Sequence, residues 1–194
     1  MTATGAHQID PERQAAGTLP AVRPRSLVFL HWLTVLFLIL AVTLVLVREV
    51  VDGRTVKQWL LEGHRHFGLL VLILFAVRVV LRLRLGRLPA EDASRAVRIA
   101  AGLTHIALYA LLLVLPLLGW AYSNSMAKPV HFFGATLPPL VSPDPDLADT
   151  LGDWHVDAAW TLLGLTLLHT AAALWHHFVR HDDVLRRMLP GHRR

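Results

Sequence analysis

Two histidines on the last apolar segment of this chain have the type and the spacing for cofactor chemistry. His155 and His169 are fourteen residues apart, which is close to four turns of an α-helix. Both imidazoles therefore leave the same face, about 21 Å apart along the helix axis. Because the hydrocarbon core of a membrane is about 30 Å thick, one spanning helix would offer an imidazole near each leaflet. Imidazole is an axial ligand for haem iron.

Two further histidines lie at the same two depths on other apolar segments. His31 falls about one turn inside the first segment, and His64 lies near the opposite end of the second. Depth pairs His31 with His169 and His64 with His155, which predicts two haem groups per chain, each held by two imidazoles. Iron with both axial positions filled has no vacant site for oxygen. The pattern therefore predicts transfer of single electrons, without a catalytic side chain.

The matched depths favour cofactor ligands over simpler roles for these histidines. A single histidine in an apolar helix is often a hydrogen-bonded core residue or an interfacial anchor, but four at two depths point to a shared function. Zinc would need three or four ligands at one level. His105 is a competing ligand at the inner level, and His66 is predicted to face away from His64. A surface position is predicted for three histidines without helical context: His7, His131 and His192.

Two basic positions near the inner level have a predicted ligand and an open alternative. Arg78 follows His64 by fourteen residues and so faces the same way, where a haem propionate could pair with its guanidinium. Snorkelling toward lipid headgroups is the alternative. His176 and His177 could hydrogen-bond a quinone carbonyl, or they could form a basic helix end at the headgroups.

The composition predicts which structural elements position these residues. Of the 194 residues 54% are hydrophobic, and the mean hydropathy is +0.48, which is typical of an integral membrane protein. Because a spanning segment must satisfy its own backbone, the predicted fold is an all-α transmembrane four-helix bundle with two haems stacked between the helices. Turns and a short surface helix are expected in the long loop before the last segment. The four apolar runs are Leu27–Val47, Leu61–Leu83, Ile99–Tyr122 and Trp154–Val179.

Charge predicts how the bundle is oriented. Thirteen of the nineteen lysines and arginines lie in the N-terminal tail, the middle connection and the C-terminus. The positive-inside rule therefore places both termini in the cytoplasm and the stretches near 48–62 and 123–153 outside. The net charge of +5 reflects this topology, and no nucleic-acid partner is expected.

The chain divides into three parts by composition. Residues 1–25 are predicted to be a disordered tail, 26–181 the membrane domain and 182–194 a cytoplasmic tail. The first apolar run is too long for a signal-peptide core and is expected to be an uncleaved anchor. The chain has no cysteine, which excludes disulfides, thiolate-ligated iron and iron–sulfur clusters on this chain.

Taken together, the residues from Arg25 to Pro190 resemble the bacterial cytochrome b561 family, the small four-helix dihaem proteins of the inner membrane. The likeness rests on short motifs in order: His31-Trp32, His64 followed by Gly68, Leu115-Pro116 with Gly119, Trp154-His155, and His169-Thr-Ala-Ala-Ala-Leu-Trp-His176-His177-Phe. The resemblance implies haem ligands at His31, His64, His155 and His169, in agreement with the pairing by depth. It also implies a quinone-binding role for His176.

The resemblance further implies an activity, that of a superoxide:ubiquinone oxidoreductase. Some members oxidise superoxide at the periplasmic face and pass its electron through two haems to ubiquinone. A positive funnel for the anion could come from Arg48, Arg54, Lys57, Arg65 and Lys128, but four aspartates in the long outer loop act against it. The alternatives are a cytochrome b relay subunit for a dehydrogenase or hydrogenase partner, and a haem-free membrane protein. The oligomeric state is left open, a homodimer included.

Overall fold

A computed structural model describes residues 25–85 and 94–189 of the chain, and four long helices dominate it. They are α1 (Arg25–Val50), α2 (Arg54–Leu85), α3 (Arg95–Ser125) and α4 (Pro145–Phe178). Each of the four is long and apolar enough to cross a membrane, so the prediction of an all-α four-helix bundle is confirmed. The predictions for residues 1–24 of the N-terminal tail and for residues 190–194 concern residues outside the described ranges.

The helices form two antiparallel hairpins. The helix α1 packs along α2, α3 packs along α4, and α2 and α3 touch each other over a smaller area. Within the described ranges, the backbone of α4 makes at most slight contact with α1 and α2. We call the end of the bundle at residues 51–53 and 126–144 the loop end, and the end where α1 begins and α4 finishes the terminal end. The backbone of α4 is therefore farther from the first hairpin than from α3.

Two helices begin earlier than hydropathy predicts. The helix α4 begins at Pro145, ahead of the position near Asp153 that the apolar run suggests. The Asp144 side chain accepts a hydrogen bond from the Leu147 N–H at 3.1 Å, and proline suits the first helical position because no N–H is needed there. The helix α2 likewise begins at Arg54. The start of α4 is set by capping chemistry, which hydropathy does not register.

The connection between α3 and α4 contains a small hairpin in place of the expected surface helix. Strand β1 (His131–Phe132) pairs antiparallel with β2 (Ala135–Thr136). The turn residues Phe133 and Gly134 have φ of 47° and 86°, the two positive values that a type I′ turn requires. The Asn124 side chain accepts from the Leu140 N–H at 2.9 Å and so ties the loop back to α3.

The outer surface of the bundle is apolar. Large side chains such as Phe29, Ile39, Leu83, Ile106 and Leu167 are exposed. An apolar surface of this extent belongs in lipid, since water-soluble monomers expose only small apolar patches. The surface agrees with the membrane assignment made from the helices.

Candidate functional site

The structure brings the four predicted ligands together as two pairs. The ring centroids of His64 and His155 are 6.1 Å apart with an angle of 84° between the ring planes, and we call these residues the loop-end pair. The centroids of His31 and His169 are 6.3 Å apart at 72°, and we call these the terminal-end pair. In each pair, one imidazole comes from the first hairpin and the other from α4.

The spacing within each pair suits two imidazoles on one metal ion. A metal–nitrogen bond of about 2.0 Å plus about 1.2 Å from nitrogen to ring centre, on both sides, puts the centroids about 6.3 Å apart. The part of the chain that the structure describes has no group of three or more His, Cys, Asp or Glu residues able to hold a metal ion. Two donors per site are too few for zinc, but they suit an iron whose other four ligands come from a porphyrin.

The loop-end pair is held by backbone carbonyls. Nδ1 of His64 lies 2.9 Å from the Ala41 carbonyl oxygen, and Nδ1 of His155 lies 3.2 Å from that of Leu115. A carbonyl can only accept, so each Nδ1 carries the hydrogen and donates it. Each Nε2 then has a free lone pair, which is the usual arrangement in a metal-binding histidine.

Two glycines shape the space around this pair. A Cβ built on Gly119 would lie 2.9 Å from Cε1 of His155, so a side chain there would push the imidazole aside. A Cβ built on Gly68, one turn after His64, would meet no atom within 4 Å. The helix face that carries His64 therefore borders open space, where a flat macrocycle could lie.

The terminal-end pair has different neighbours. Nη1 of Arg78 donates to Nδ1 of His31 at 3.3 Å, and the Arg78 guanidinium lies 5.6 Å from the Tyr109 ring centroid, within cation–π distance. No ion pair joins Arg78 to a carboxylate within residues 25–85 and 94–189. Arg78 thus lies at the predicted level, beside a predicted ligand.

His105, the competing ligand at this level, also faces His169. Its ring centroid is 5.4 Å from that of His169, which is shorter than the about 6.3 Å expected for two imidazoles on opposite sides of one metal. The His105 side chain is exposed, and its Nδ1 donates to the Ala101 carbonyl at 2.7 Å. The geometry favours His31 over His105 as the partner of His169.

His176 has a partner that the sequence pattern did not reveal. Its Nδ1 is hydrogen-bonded to Oδ2 of Asp182. After α4 the chain turns back through His181, whose φ is +53°, and this reversal brings the carboxylate to the ring. The only signal for the contact in the sequence is an aspartate six residues after a histidine, which is too common to identify a pair. His177 instead packs on Phe178, with centroids 4.8 Å apart.

The Asp182 carboxylate is fixed and ionised. Its Oδ1 accepts from the Val184 N–H at 3.2 Å, and Nε of Arg180 lies 4.0 Å from Oδ2. Burial alone would raise the pKa of Asp182, but the hydrogen bonds from His176 and Val184 outweigh it, and the pKa is below its ordinary value. An ionised carboxylate only accepts, so Nδ1 of His176 carries the hydrogen.

The tail also contacts the terminal end of α1. A 3₁₀ turn at Arg186–Met188 follows the reversal, and the Trp32 indole donates to the Met188 carbonyl at 2.6 Å. Trp32 is next to His31, and the centroids of the two rings are 5.7 Å apart. The segment after α4 therefore lies against the helix end that carries a predicted ligand.

His66, predicted to face away from His64, holds the loop to α2. Its Nδ1 donates to the Glu62 carbonyl at 2.7 Å, and its Nε2 accepts from the Phe133 N–H at 3.3 Å. The ring stacks on Phe132 with centroids 5.9 Å apart. The β-hairpin is thereby attached beside the loop-end pair.

The predicted positive funnel at the loop end is partly neutralised. Arg48 pairs with Glu49 at 2.7 Å, and Arg65 pairs with Glu62 at 2.8 Å. A cavity of about 480 Å³ opens beside His155. Its lining includes Tyr122, Gly152 and the carboxylates of Asp149 and Asp153.

Comparison with known proteins gives one consistent result. A family profile described as prokaryotic cytochrome b561 matches residues 22–191. The chain is 30% identical over 170 residues to "Cytochrome b561 homolog 1" of Escherichia coli (strain K12), covering 86% of this chain and 96% of that protein. It is 35% identical over 132 residues to "Cytochrome b561 homolog 2" of the same strain, covering 66% and 69%. It is 30% identical over 167 residues to "Probable superoxide oxidase CybB" of Yersinia pestis, covering 84% and 93%.

Proposed function

This chain belongs to the prokaryotic cytochrome b561 family of membrane electron-transfer proteins, which bind b-type haem, and from that premise we propose that it passes electrons from superoxide to ubiquinone. Electrons enter at the loop end and leave at the terminal end. The observation that carries the proposal is the presence of two histidine pairs, the loop-end pair and the terminal-end pair, with ring centroids 6.1 and 6.3 Å apart. Two superoxide anions, one quinone and two protons give two dioxygen molecules and one quinol.

In this proposal His64 and His155 hold one haem b, and His31 and His169 hold a second. Bound haem supplies one-electron chemistry at its iron. With one imidazole of a pair on each side of the iron, the protein would leave no site for oxygen, and the bound haem would supply one-electron transfer without oxygen chemistry. In the loop-end pair, the carbonyls of Ala41 and Leu115 keep each Nε2 free to bind iron.

Buried donors without partners support a propionate-bearing group at the loop end. Nε of Arg48, Nε of Arg65 and Nε1 of Trp120 are buried and have no hydrogen-bond partner among the described residues. Arg65 follows His64 directly, and Trp120 follows Gly119, which touches His155. Unsatisfied buried donors are costly, and carboxylates are their natural acceptors. The residues present therefore fit haem.

Arg78 has a corresponding role at the terminal end. Its guanidinium donates to Nδ1 of His31, but a neutral imidazole that binds iron through Nε2 carries a hydrogen on Nδ1 and cannot accept there. Iron binding would therefore release the Arg78 guanidinium from His31. A propionate is the anion that would then receive it.

The structure offers a specific alternative to superoxide as the electron donor. The named relative from Yersinia pestis favours superoxide, which is an anion. The carboxylates of Asp149 and Asp153 line the cavity beside His155, and Arg48 and Arg65 are already paired. These contacts favour a second candidate, a relay subunit whose donor protein presents a basic surface at the loop end.

One experiment separates the two donors. The purified, haem-loaded protein is exposed to superoxide generated by xanthine oxidase, and haem reduction is followed in the visible spectrum, with superoxide dismutase as the control. Rapid reduction that the dismutase abolishes supports superoxide as the donor. Haem that stays oxidised while dithionite reduces it normally supports the relay.

The orientation follows from the charge distribution and has its own test. The chain is a bacterial integral membrane protein, and we place the loop end in the periplasm and both termini in the cytoplasm. The chain has no cysteine, so single cysteines report cleanly. Ser142→Cys in the exposed loop should react with a membrane-impermeant maleimide in cells with a permeabilised outer membrane. Ser94→Cys, at the start of α3, should react only after lysis.

A further inference from the structure

We propose that Asp182 is a positioning residue for quinone reduction: it holds His176 so that the imidazole delivers a proton to a quinone carbonyl at the terminal end. This inference rests on the proposed function, because it takes ubiquinone as the acceptor. It adds a named proton donor and the residue that orients it. Three observations carry it: the helix face of His176, the contacts of Asp182, and the anchoring of the tail.

The first observation is that His176 lies on the face of α4 that carries both predicted ligands. His155, Leu162, His169 and His176 follow one another at intervals of seven residues, and seven residues are close to two helical turns. Leu162 in this row is buried. His176 is therefore about 10 Å beyond His169 along the same face, at the membrane surface where a lipid-soluble quinone would meet water.

The second observation is the hydrogen bond from Nδ1 of His176 to the Asp182 carboxylate. It fixes the ring orientation, directs Nε2 away from the carboxylate, and stabilises the positive charge that the ring acquires when Nε2 is protonated. The protonated ring can donate from Nε2 to a quinone carbonyl. When the quinone is reduced, that proton passes to the carbonyl oxygen and leaves a neutral imidazole.

Water supplies the two protons that reduction of each quinone consumes. Each quinone takes two electrons, delivered one at a time, and two protons. His176 gives a proton to the nearer oxygen, the second proton reaches the other oxygen from cytoplasmic water, and water reprotonates Nε2 after the quinol leaves. Without the charge of the carboxylate, the hydrogen bond to Nδ1 of His176 would be weaker, and Nε2 would be held toward the quinone carbonyl less often.

The third observation is that the tail holding Asp182 is anchored. The carboxylate is bound by the Val184 N–H, and the Met188 carbonyl by the Trp32 indole. Arg180 lies 4.0 Å from the carboxylate, and Asp183 pairs with Arg186 at 3.6 Å. The other ionisable groups of this region are His177, His181 and Arg187, and those at the terminal end of the neighbouring helices are Arg25, His31, Arg78, Arg82, Arg84, Arg95, Arg98 and His105. Among the described residues, Asp182 is the carboxylate that contacts His176.

The test follows reoxidation of the haem. Haem-loaded protein in lipid nanodiscs is reduced anaerobically with dithionite and mixed with ubiquinone-1 in a stopped-flow instrument. Asp182→Asn should lower the limiting rate about 10-fold or more, because general acid catalysis is typically worth 10²–10⁴-fold and a supporting partner a part of that. The quinone concentration at half-maximal rate should change little, and reduction by dithionite not at all.

Two variants separate positioning from a structural effect. Asp183→Asn removes the neighbouring carboxylate and its pair with Arg186 but leaves the His176 contact, so its rate should match the wild type. Asp182→Glu should restore part of the rate. All proteins are compared at equal haem content.

Each of the other possible results contradicts a specific part of the proposal. If the wild type is reoxidised by quinone and Asp182→Asn is equally fast, the role of Asp182 is wrong and the acceptor stands. If Asp183→Asn is as slow as Asp182→Asn, the tail acts by folding and the positioning role is wrong. If wild-type haem stays reduced with quinone, the acceptor itself is wrong, and the role of Asp182 with it.

Discussion

The two histidine pairs have the same spacing but different surroundings. The imidazoles of the loop-end pair donate to neutral carbonyls, those of Ala41 and Leu115. In the terminal-end pair, His31 receives the guanidinium of Arg78, and His169 faces a third ring, that of His105. The cations near the loop-end pair, Arg48 and Arg65, are each paired with a glutamate, so they add little net charge there. Arg78 has no ion pair with a carboxylate within residues 25–85 and 94–189, so it adds a positive charge next to the terminal-end pair.

In the proposed function, this difference in charge would give electron transfer a direction. Reducing haem iron lowers its charge by one, so a nearby cation stabilises the reduced state and raises the reduction potential. The cation of Arg78 therefore favours electrons at the terminal end, where we place the quinone. We expect the loop-end haem to have the lower potential and to act as donor to the other.

The largest expected effect comes from removing one ligand of either pair. His155→Ala should reduce the haem content from about two to about one per chain, by loss of the loop-end haem, and His169→Ala should do the same at the terminal end. The measurement is a pyridine haemochrome assay on purified protein. The exposed His131→Ala serves as the control. Unchanged stoichiometry in both ligand variants would mean that the four histidines are not the ligands.

A smaller effect is expected from a change in the packing beside a predicted ligand. Gly119→Ala would bring a Cβ to 2.9 Å from the His155 ring and should weaken haem retention at the loop end about 10-fold, the scale of losses when support of a ligand is disturbed. Gly102→Ala is the matched control, because a Cβ there meets nothing within 4 Å on the same helix. Haem transfer to apomyoglobin measures retention. Equal transfer from both variants would show that Gly119 does not shape the site.

The potential difference between the ends is tested by removing the cation. Arg78→Gln should lower the midpoint potential of the terminal-end haem by about 40 mV, which corresponds to about 1 kcal/mol for one electron. The loop-end potential should be unchanged. Arg82→Gln, at an exposed position one turn further along α2, should have a smaller effect. A redox titration that moved neither haem in Arg78→Gln would contradict the proposed gradient.

Helix geometry explains which parts of this site could be predicted from the sequence. The rise per residue is fixed, so His155 and His169 had to lie at two depths, and hydropathy found the four spans that carry their partners. The choice between His31 and His105 needed distances, because both lie at the inner level. The start of α4 at Pro145 depends on the Asp144 cap, which a hydropathy pattern does not register.

Contacts made by irregular backbone could not be predicted. Asp182 reaches His176 because the chain reverses at His181 with a positive φ, a conformation uncommon for residues other than glycine. The hairpin that His66 holds depends in the same way on Phe133 and Gly134. In both places a non-glycine residue adopts the left-handed conformation, for which its sequence gives little signal.

The smallest expected effect concerns the pH range over which the segment after α4, which we call the tail, keeps its contact with the terminal end of α1. The pKa of Asp182 is lower in the folded protein than its ordinary value, so its stabilisation of the tail is fully present above that ordinary value. The stabilisation is lost as the pH falls through the lowered pKa. The tail should therefore keep this contact from neutral to mildly acidic pH and lose it only below the usual pKa range of a carboxyl group.

Trp32, which binds Met188, can report this by fluorescence in a protein whose other tryptophans are replaced by phenylalanine. Asp182→Asn should remove the acid transition, while Asp183→Asn should keep it. An acid transition of the same midpoint in Asp182→Asn would assign the effect to another titrating group.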